Sequence, residues 1–218
     1  MASVHTIVRD AMRRDILHGR LAGGSRLHQT QLAQHYDVSI TPVREALRDL
    51  ATEGLVDFTT YSGAVVHRAT ISELEQVYRM RAALSPLAVE EGIPLITDAE
   101  LTEADNLIRH METTSSRDEW IENNRRLHRM LDGASRNRIL AETLGRLADL
   151  STLYVNISIA SDPVRRPGAD DEHRDLLDAY RARDVDRATR ISLQHFGSTL
   201  ERSRVEFHDP EPSSISVE

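Results

Sequence analysis

Three histidines and one asparagine of this chain have the residue types and the spacing to hold a divalent metal. Asn124 and His128 lie four positions apart, so a helix would carry both on one face. His173 stands in Asp171-Glu172-His173-Arg174, and His195 follows 22 residues later in Leu193-Gln194-His195-Phe196. Each histidine has apolar neighbours at adjacent or helical positions, so all three can point into a core. Residue type alone leaves two readings open: imidazoles that ligate a metal, or core histidines satisfied by hydrogen bonds. The chain has no cysteine. That excludes a disulfide scaffold, a thiolate zinc ribbon and a cysteine nucleophile, and leaves imidazole nitrogen and amide oxygen as the ligand atoms of these four residues. Three imidazoles and a water on zinc would also make a hydrolytic centre, although no obvious general base stands near them in the sequence. Of the remaining histidines, His5, His18, His28, His35, His110 and His208 are expected at the surface, and His67 near DNA or a domain junction.

The elements that must bring these residues together are helices. From Thr70 onward nothing alternates like a strand, and the periodicity predicts helices over 72–91, 98–114, 117–134, 137–159, 167–182 and 184–205. Such a set makes an antiparallel bundle, whose facing helices can build an internal site. Pro86 should kink the first of them. Residues 210–218 read as a disordered tail.

The first third differs. Helices are expected over Val4–Leu17 and Gln29–Tyr36, and a third from Thr41-Pro42, with threonine as cap and proline at the first helical position. Val43, Ala46, Leu47 and Leu50 would face inward, and Arg44, Glu45, Arg48 and Asp49 outward. Two short strands, Leu55–Phe58 and Ala64–Val66, then flank a turn at Tyr61-Ser62-Gly63. Three helices followed by a hairpin is the order of a winged helix-turn-helix, in which the third helix enters the major groove. Charge divides the same way. Residues 1–68 hold eight arginines and seven carboxylates, and the remainder nineteen and twenty-eight, so the overall −8 resides in the bundle. No apolar run approaches the roughly 20 residues of a membrane span, and the charged N-terminus is unlike a signal peptide. A cytoplasmic protein is expected, with no membrane partner.

Gln31-Leu32-Ala33, Val38-Ser39-Ile40-Thr41-Pro42-Val43-Arg44-Glu45-Ala46-Leu47, Glu53-Gly54-Leu55-Val56 and Gly63-Ala64 together resemble the DNA-binding domain of the GntR family of bacterial transcription regulators. The resemblance implies that Ser39, Thr41, Pro42 and Arg44 lie at operator phosphates and bases, with Gly63 at the wing tip. Two positions depart from the family. Ile40 stands where arginine is usual, and Thr30 where a contacting arginine is frequent. Isoleucine cannot read guanine in bidentate fashion but can pack on a thymine methyl. A shifted operator preference is expected, with Arg44, Arg48 and Arg26 supplying the charge.

The remainder resembles the FCD ligand-binding domain of the FadR-type subgroup, through Tyr78-Arg79-Met80-Arg81, Leu127-His128, Ser135-Arg136-Asn137, Glu172-His173 and His195. In that family an aspartate and three histidines hold a divalent metal beside a small organic acid. Asn124, His128, His173 and His195 take those positions here, and Arg81 faces the cavity, where its planar fork could hold a carboxylate. Zinc and nickel both suit imidazole. Asn124 replaces the aspartate, which weakens the ligand set and leaves the metal's charge uncompensated, favouring an anionic effector. Ser85 replaces a usual glutamate, which removes a carboxylate from the cavity.

The resulting expectation is a mostly α chain. Residues 1–68 form a winged helix-turn-helix, residues 69–209 an FCD-like antiparallel bundle of six to seven helices, and residues 210–218 a tail. Its function would be that of a homodimeric, carboxylate-responsive repressor of a catabolic operon, bound to a palindromic double-stranded operator. The alternative is a metal-dependent hydrolase fused to a DNA-binding module.

Overall fold

The computed structural model describes residues 3–60, 63–161 and 165–206. The first helix, α1 (Val4–Leu17), is capped by Ser3, whose hydroxyl accepts from the Thr6 amide. Helices α2 (Gln29–His35) and α3 (Ile40–Thr52) follow, and Val43, Ala46, Leu47 and Leu50 of α3 are buried against α1 and α2. Helix α3 begins two residues earlier than expected, with Ser39 in place of Thr41 as its cap, so Pro42 occupies the third helical position. Proline is tolerated there because the first four amides of a helix have no intrahelical acceptor.

Strands β1 (Val56–Thr59) and β2 (Gly63–Val66) pair antiparallel, with Val56 opposite Val66 and Thr59 opposite Gly63. Gly63 has φ +69°, a conformation that lacks strain only for glycine. The wing also has a neighbour that the hydrophobic pattern did not show. Residues 24–27 run along the free edge of β2, with Gly24 N donating to Val66 O and Leu27 N to Ala64 O, both at 2.8 Å. This places Arg26 opposite Val65 and covers a strand edge that would otherwise be open.

Six helices follow among the described residues: α4 (Ile71–Gly92), α5 (Asp98–Thr113), α6 (Arg117–Gly133), α7 (Arg138–Ser161), α8 (Arg165–Arg181) and α9 (Val185–Glu206). Their ends agree with the periodicity to within two residues, the ordinary uncertainty of a helix boundary. The capping residues Thr70, Thr97 and Ser116 each accept from the amide three positions on, and Thr97 with Glu100 makes a full capping box. Helix α4 continues through Pro86, at the cost of the hydrogen bond to the Ala82 carbonyl. Helix α4 packs on α6, α7 and α9, and α5 on α6 and α8. The proposed tail, residues 210–218, lies outside the described residues.

One apolar core joins the two regions: Tyr78, Leu153 and Phe196 of the bundle belong to the same cluster as Met12, Leu47 and Leu55. Polar contacts reinforce it. Arg146 donates to the Thr52 carbonyl at 2.6 Å, and Arg20 and His18 both reach Asp118. His18 is therefore covered at the junction, where a surface position was expected, because the end of α1 is packed against the start of α6. His67 bridges Asp57 of the wing, at 2.9 Å, and Glu73 of α4, at 2.7 Å. These two carboxylates push its imidazole up to about 9, so the ring is cationic at neutral pH. His208 lies outside the described residues.

Candidate metal centre and nucleic-acid interface

His128 of α6, His173 of α8 and His195 of α9 meet in the middle of the bundle. Their ring centroids are 4.9 to 5.3 Å apart, and one nitrogen from each can be chosen so that all three lie within 4.8 Å of one another. They converge because α5, α6, α8 and α9 each bury an apolar stripe in a shared core, which turns the adjoining polar positions toward the axis. Burial drives the His128 and His173 imidazoles well below their ordinary range, so both are neutral, the form a metal ligand requires.

Two features separate a ligand set from satisfied core histidines. Among the described residues neither ring nitrogen of His173 has a hydrogen-bond partner though both are buried, and the same holds for Oδ1 of Asn124, one turn before His128. Leaving several such atoms unpaired costs about 1–3 kcal/mol each. Meanwhile Nδ1 of His195 pairs with Glu172 Oε2 at 2.7 Å, an arrangement that fixes the tautomer of a ligating imidazole. The residues present thus fit a divalent metal: these three imidazoles could hold it, with Asn124 Oδ1 directed to the same region.

Arg81 of α4 lies beside this cluster and is only 4% exposed. Nη1 donates to Ser151 Oγ at 2.9 Å, and the guanidinium stacks over the Phe196 ring at 4.4 Å. Nε has no partner, and among the described residues no carboxylate lies within ion-pair distance of it. Arg81, Asn124, His128, Ser151, His195 and Trp120 line a chamber of about 20 Å³. One water requires about 10–15 Å³ on such a measure, so the space is on the scale of a single water. Trp120, the single tryptophan of the chain, donates to Asp170 at 3.0 Å.

Residue spacing passed over several neighbours of this site. Asp132 lies one turn beyond His128 and lines a second small chamber with Ser85, Tyr180, His128 and His195. Burial pushes its carboxyl up to about 6, and Oδ2 is unpartnered, as is Ser85 Oγ. The spacing Asn124, His128, Asp132 was the available signal, since it continues one helix face. Arg125 and Asp149 were also missed, because their partners lie far away along the chain.

The DNA-facing candidates are placed otherwise. Ser39, Ile40, Thr41, Arg44 and Arg48 lie on the exposed side of α3, with Pro42 half-buried among them, and Thr30 and Arg26 are exposed nearby. Among the described residues Arg26, Arg44 and Arg48 have no ion-pair partner, so their charge is available to an anion. Ile40 leaves 45% of its surface in solvent. Gly63 sits at the start of β2, beside the turn.

A winged helix-turn-helix set on a polar-centred helical bundle is the architecture of a DNA-binding regulator. Comparison with known proteins agrees. Residues 6–66 match the family described as bacterial regulatory proteins, gntR family, and residues 76–198 match the FCD domain. The chain belongs to the GntR family of transcriptional regulators, with an N-terminal GntR helix-turn-helix domain and a C-terminal FCD domain. It is 28% identical over 194 residues to the HTH-type transcriptional regulator YdhC of Bacillus subtilis (strain 168), covering 87% of this chain and 86% of that one. It is 27% identical over 212 residues to the "Probable D-xylose utilization operon transcriptional repressor" of Paenarthrobacter nicotinovorans, covering 91% and 88%. The structure of McbR/YncC from E. coli superposes with a TM-score of 0.85 at 22% identity, over 95% of this chain and 100% of that one. These relatives are regulators and not enzymes, which removes the support for the hydrolase alternative. No helix among the described residues is long and apolar enough to cross a membrane.

Proposed function

We propose that the chain is a cytoplasmic, homodimeric repressor of a catabolic operon, of the FadR-type subgroup, released from or recruited to its operator by a small carboxylate. The observation that carries this reading is the burial of Arg81, unpaired with any described carboxylate, in a chamber next to three converging histidines. A desolvated cation on which an anion, Asp132, acts only at a distance is costly, and an anionic ligand supplies a direct partner. His128, His173 and His195, with Asn124, would hold a divalent metal such as zinc or nickel. Bound there, the ion would contribute positive charge and open positions for oxygen. Arg81, held against Phe196, orients the acid, and Trp120 forms an apolar part of the chamber wall. The chamber must widen to admit even a compact acid.

In this reading residues 1–68 bind operator and residues 69–209 bind effector. Arg26, Arg44 and Arg48 contact phosphates and bases with Thr30, Ser39, Ile40, Thr41 and Pro42, and Gly63 lets the wing approach the backbone. Three unpaired arginines are few for one operator, so two copies on a two-fold site are invoked. Effector binding shifts the population of domain arrangements and hence the spacing of the two α3 helices. A repressor of a sugar-utilization operon among the relatives supports the catabolic assignment. The deciding experiment is a thermal-shift screen of small carboxylic acids with and without zinc, followed by operator binding for any acid that stabilises. The reading stands if stabilisation disappears in Arg81→Met and falls if no carboxylate stabilises the zinc-saturated wild type.

A further inference from the structure

We propose that Arg125 is a second carboxylate-binding residue of the effector chamber, and that engaging it there loosens the charge cluster tying the recognition helix α3 to the bundle. The inference rests on the effector reading above and adds a route from that site to the DNA-binding domain.

Arg125 follows Asn124 on α6 and lines the effector chamber. It also lines a cleft of about 680 Å³ between α1 and α3 on one side and α6 and α7 on the other. Among the described residues no other side chain is common to both. Its guanidinium is held by Glu122 through two hydrogen bonds of 2.9 and 3.1 Å, while Nη1 reaches Asp149 Oδ1 at only 3.4 Å. The bond to Asp149 is therefore the tie a competing carboxylate can take without disturbing Glu122.

Asp149 has reason to respond. It is 5% exposed, and its charge is sustained by Arg125, by Arg129 at 3.5 Å and by Arg13 of α1 at 3.9 Å. Burial raises its carboxyl and these three cations oppose that rise, so losing one makes the other two more important to it. Arg13 is at the same time paired with Glu53, the residue that ends α3, through Nε at 2.9 Å and through Nη2. Withdrawing Arg125 toward a ligand draws Arg13 toward Asp149 and away from Glu53. Arg125, Asp149, Arg13 and Glu53 thus connect the chamber to the end of α3, and the two pairing states of Arg125 are the element that both sites bias.

The test uses the full-length, zinc-saturated protein with acetate, lactate and succinate as probes. Trp120 fluorescence reports binding, and amide hydrogen exchange in residues 10–17 and 50–55 reports the tie to α3. In the wild type the tightest probe should quench Trp120 and speed exchange in both segments. Arg125→Gln should weaken the probe about tenfold or more, the scale of one charge-assisted contact. Asp149→Asn should bind it within about threefold of wild type, as expected for a change outside the chamber, yet show no exchange response. Arg13→Gln should behave like Asp149→Asn, and it serves if the buried substitution fails to fold. Glu142→Gln, which lines the cleft and pairs with Arg138, should keep both binding and response. A wild-type exchange response in Asp149→Asn or Arg13→Gln, or wild-type affinity in Arg125→Gln, overturns the proposal while leaving the effector reading intact. If no probe binds the wild type, the effector reading fails and this inference fails with it.

Discussion

Arg44 and Arg81 carry the same guanidinium, and the fold treats them in opposite ways. Arg44 stands in solvent on α3, where hydration is retained until an anion arrives. Arg81 lies in the bundle against Phe196 and Ser151, with its desolvation cost already incurred during folding. The first arrangement suits phosphates that come and go on a surface, at an affinity set by salt. The second suits one small anion that completes an otherwise unbalanced interior. The difference is one of burial, since neither side chain has a carboxylate partner among the described residues.

If the bundle interior is built around an ion and the DNA face is not, the largest contrast should come from His173. His173→Ala should reduce bound zinc at least about a hundredfold in affinity, given that even second-shell changes cost 10–100-fold, and should leave operator binding by the effector-free protein near wild type. Metal analysis of protein purified without chelator or nickel resin checks this, and undiminished metal content would erase the contrast. Next in size, Arg44→Ala should lower operator affinity by about 1–3 kcal/mol and flatten its salt dependence, with melting temperature unchanged. A gel-shift titration at several salt concentrations measures both.

Arg81→Met sharpens the comparison from the other side. Removing an unpaired buried cation should raise the melting temperature of the effector-free protein, by on the order of 1–4 kcal/mol in stability, while abolishing the carboxylate response. A fall in stability would mean that the stacking on Phe196 and the bond to Ser151 outweigh desolvation. The smallest effect concerns the seam between the regions. Because His67 titrates near 9 when folded and at an ordinary 6.5 when unfolded, its ion pairs stabilise fully below pH 6.5 and are lost as pH rises to about 9. His67→Gln should therefore flatten the decline of melting temperature over that interval, a change of a few degrees by differential scanning calorimetry.

The two regions also differed in what could be read beforehand. The helix ends, the wing and the exposed face of α3 follow from local periodicity, caps and turn residues, each of which acts within a few positions. The shift of the α3 start from Pro42, capped by Thr41, to Ile40, capped by Ser39, is the ordinary looseness of such signals. His128, His173 and His195 were legible as candidates because each sits at a polar position of an apolar stripe. Whether they met was not, since it depends on how α6, α8 and α9 cross. The exposure expected for His18 failed for the same reason: the residue is polar and ends a helix, but Asp118 arrives from a hundred residues away.

Residue order by itself determined that this chain is a winged helix joined to a helical bundle. It determined too that its acidity lies away from the DNA-binding third and that any metal must be held without thiolate. These are properties of composition and of short-range spacing, where hydrogen bonding and side-chain periodicity act along one segment. Tertiary structure alone decided that Arg81 makes no ion pair among the described residues, that Asp132 and Asp149 are buried, and that Arg125 stands between the chamber and the cleft. Such facts concern solvent exclusion and charge balance, which are sums over every element packed around a point, and no single segment carries them.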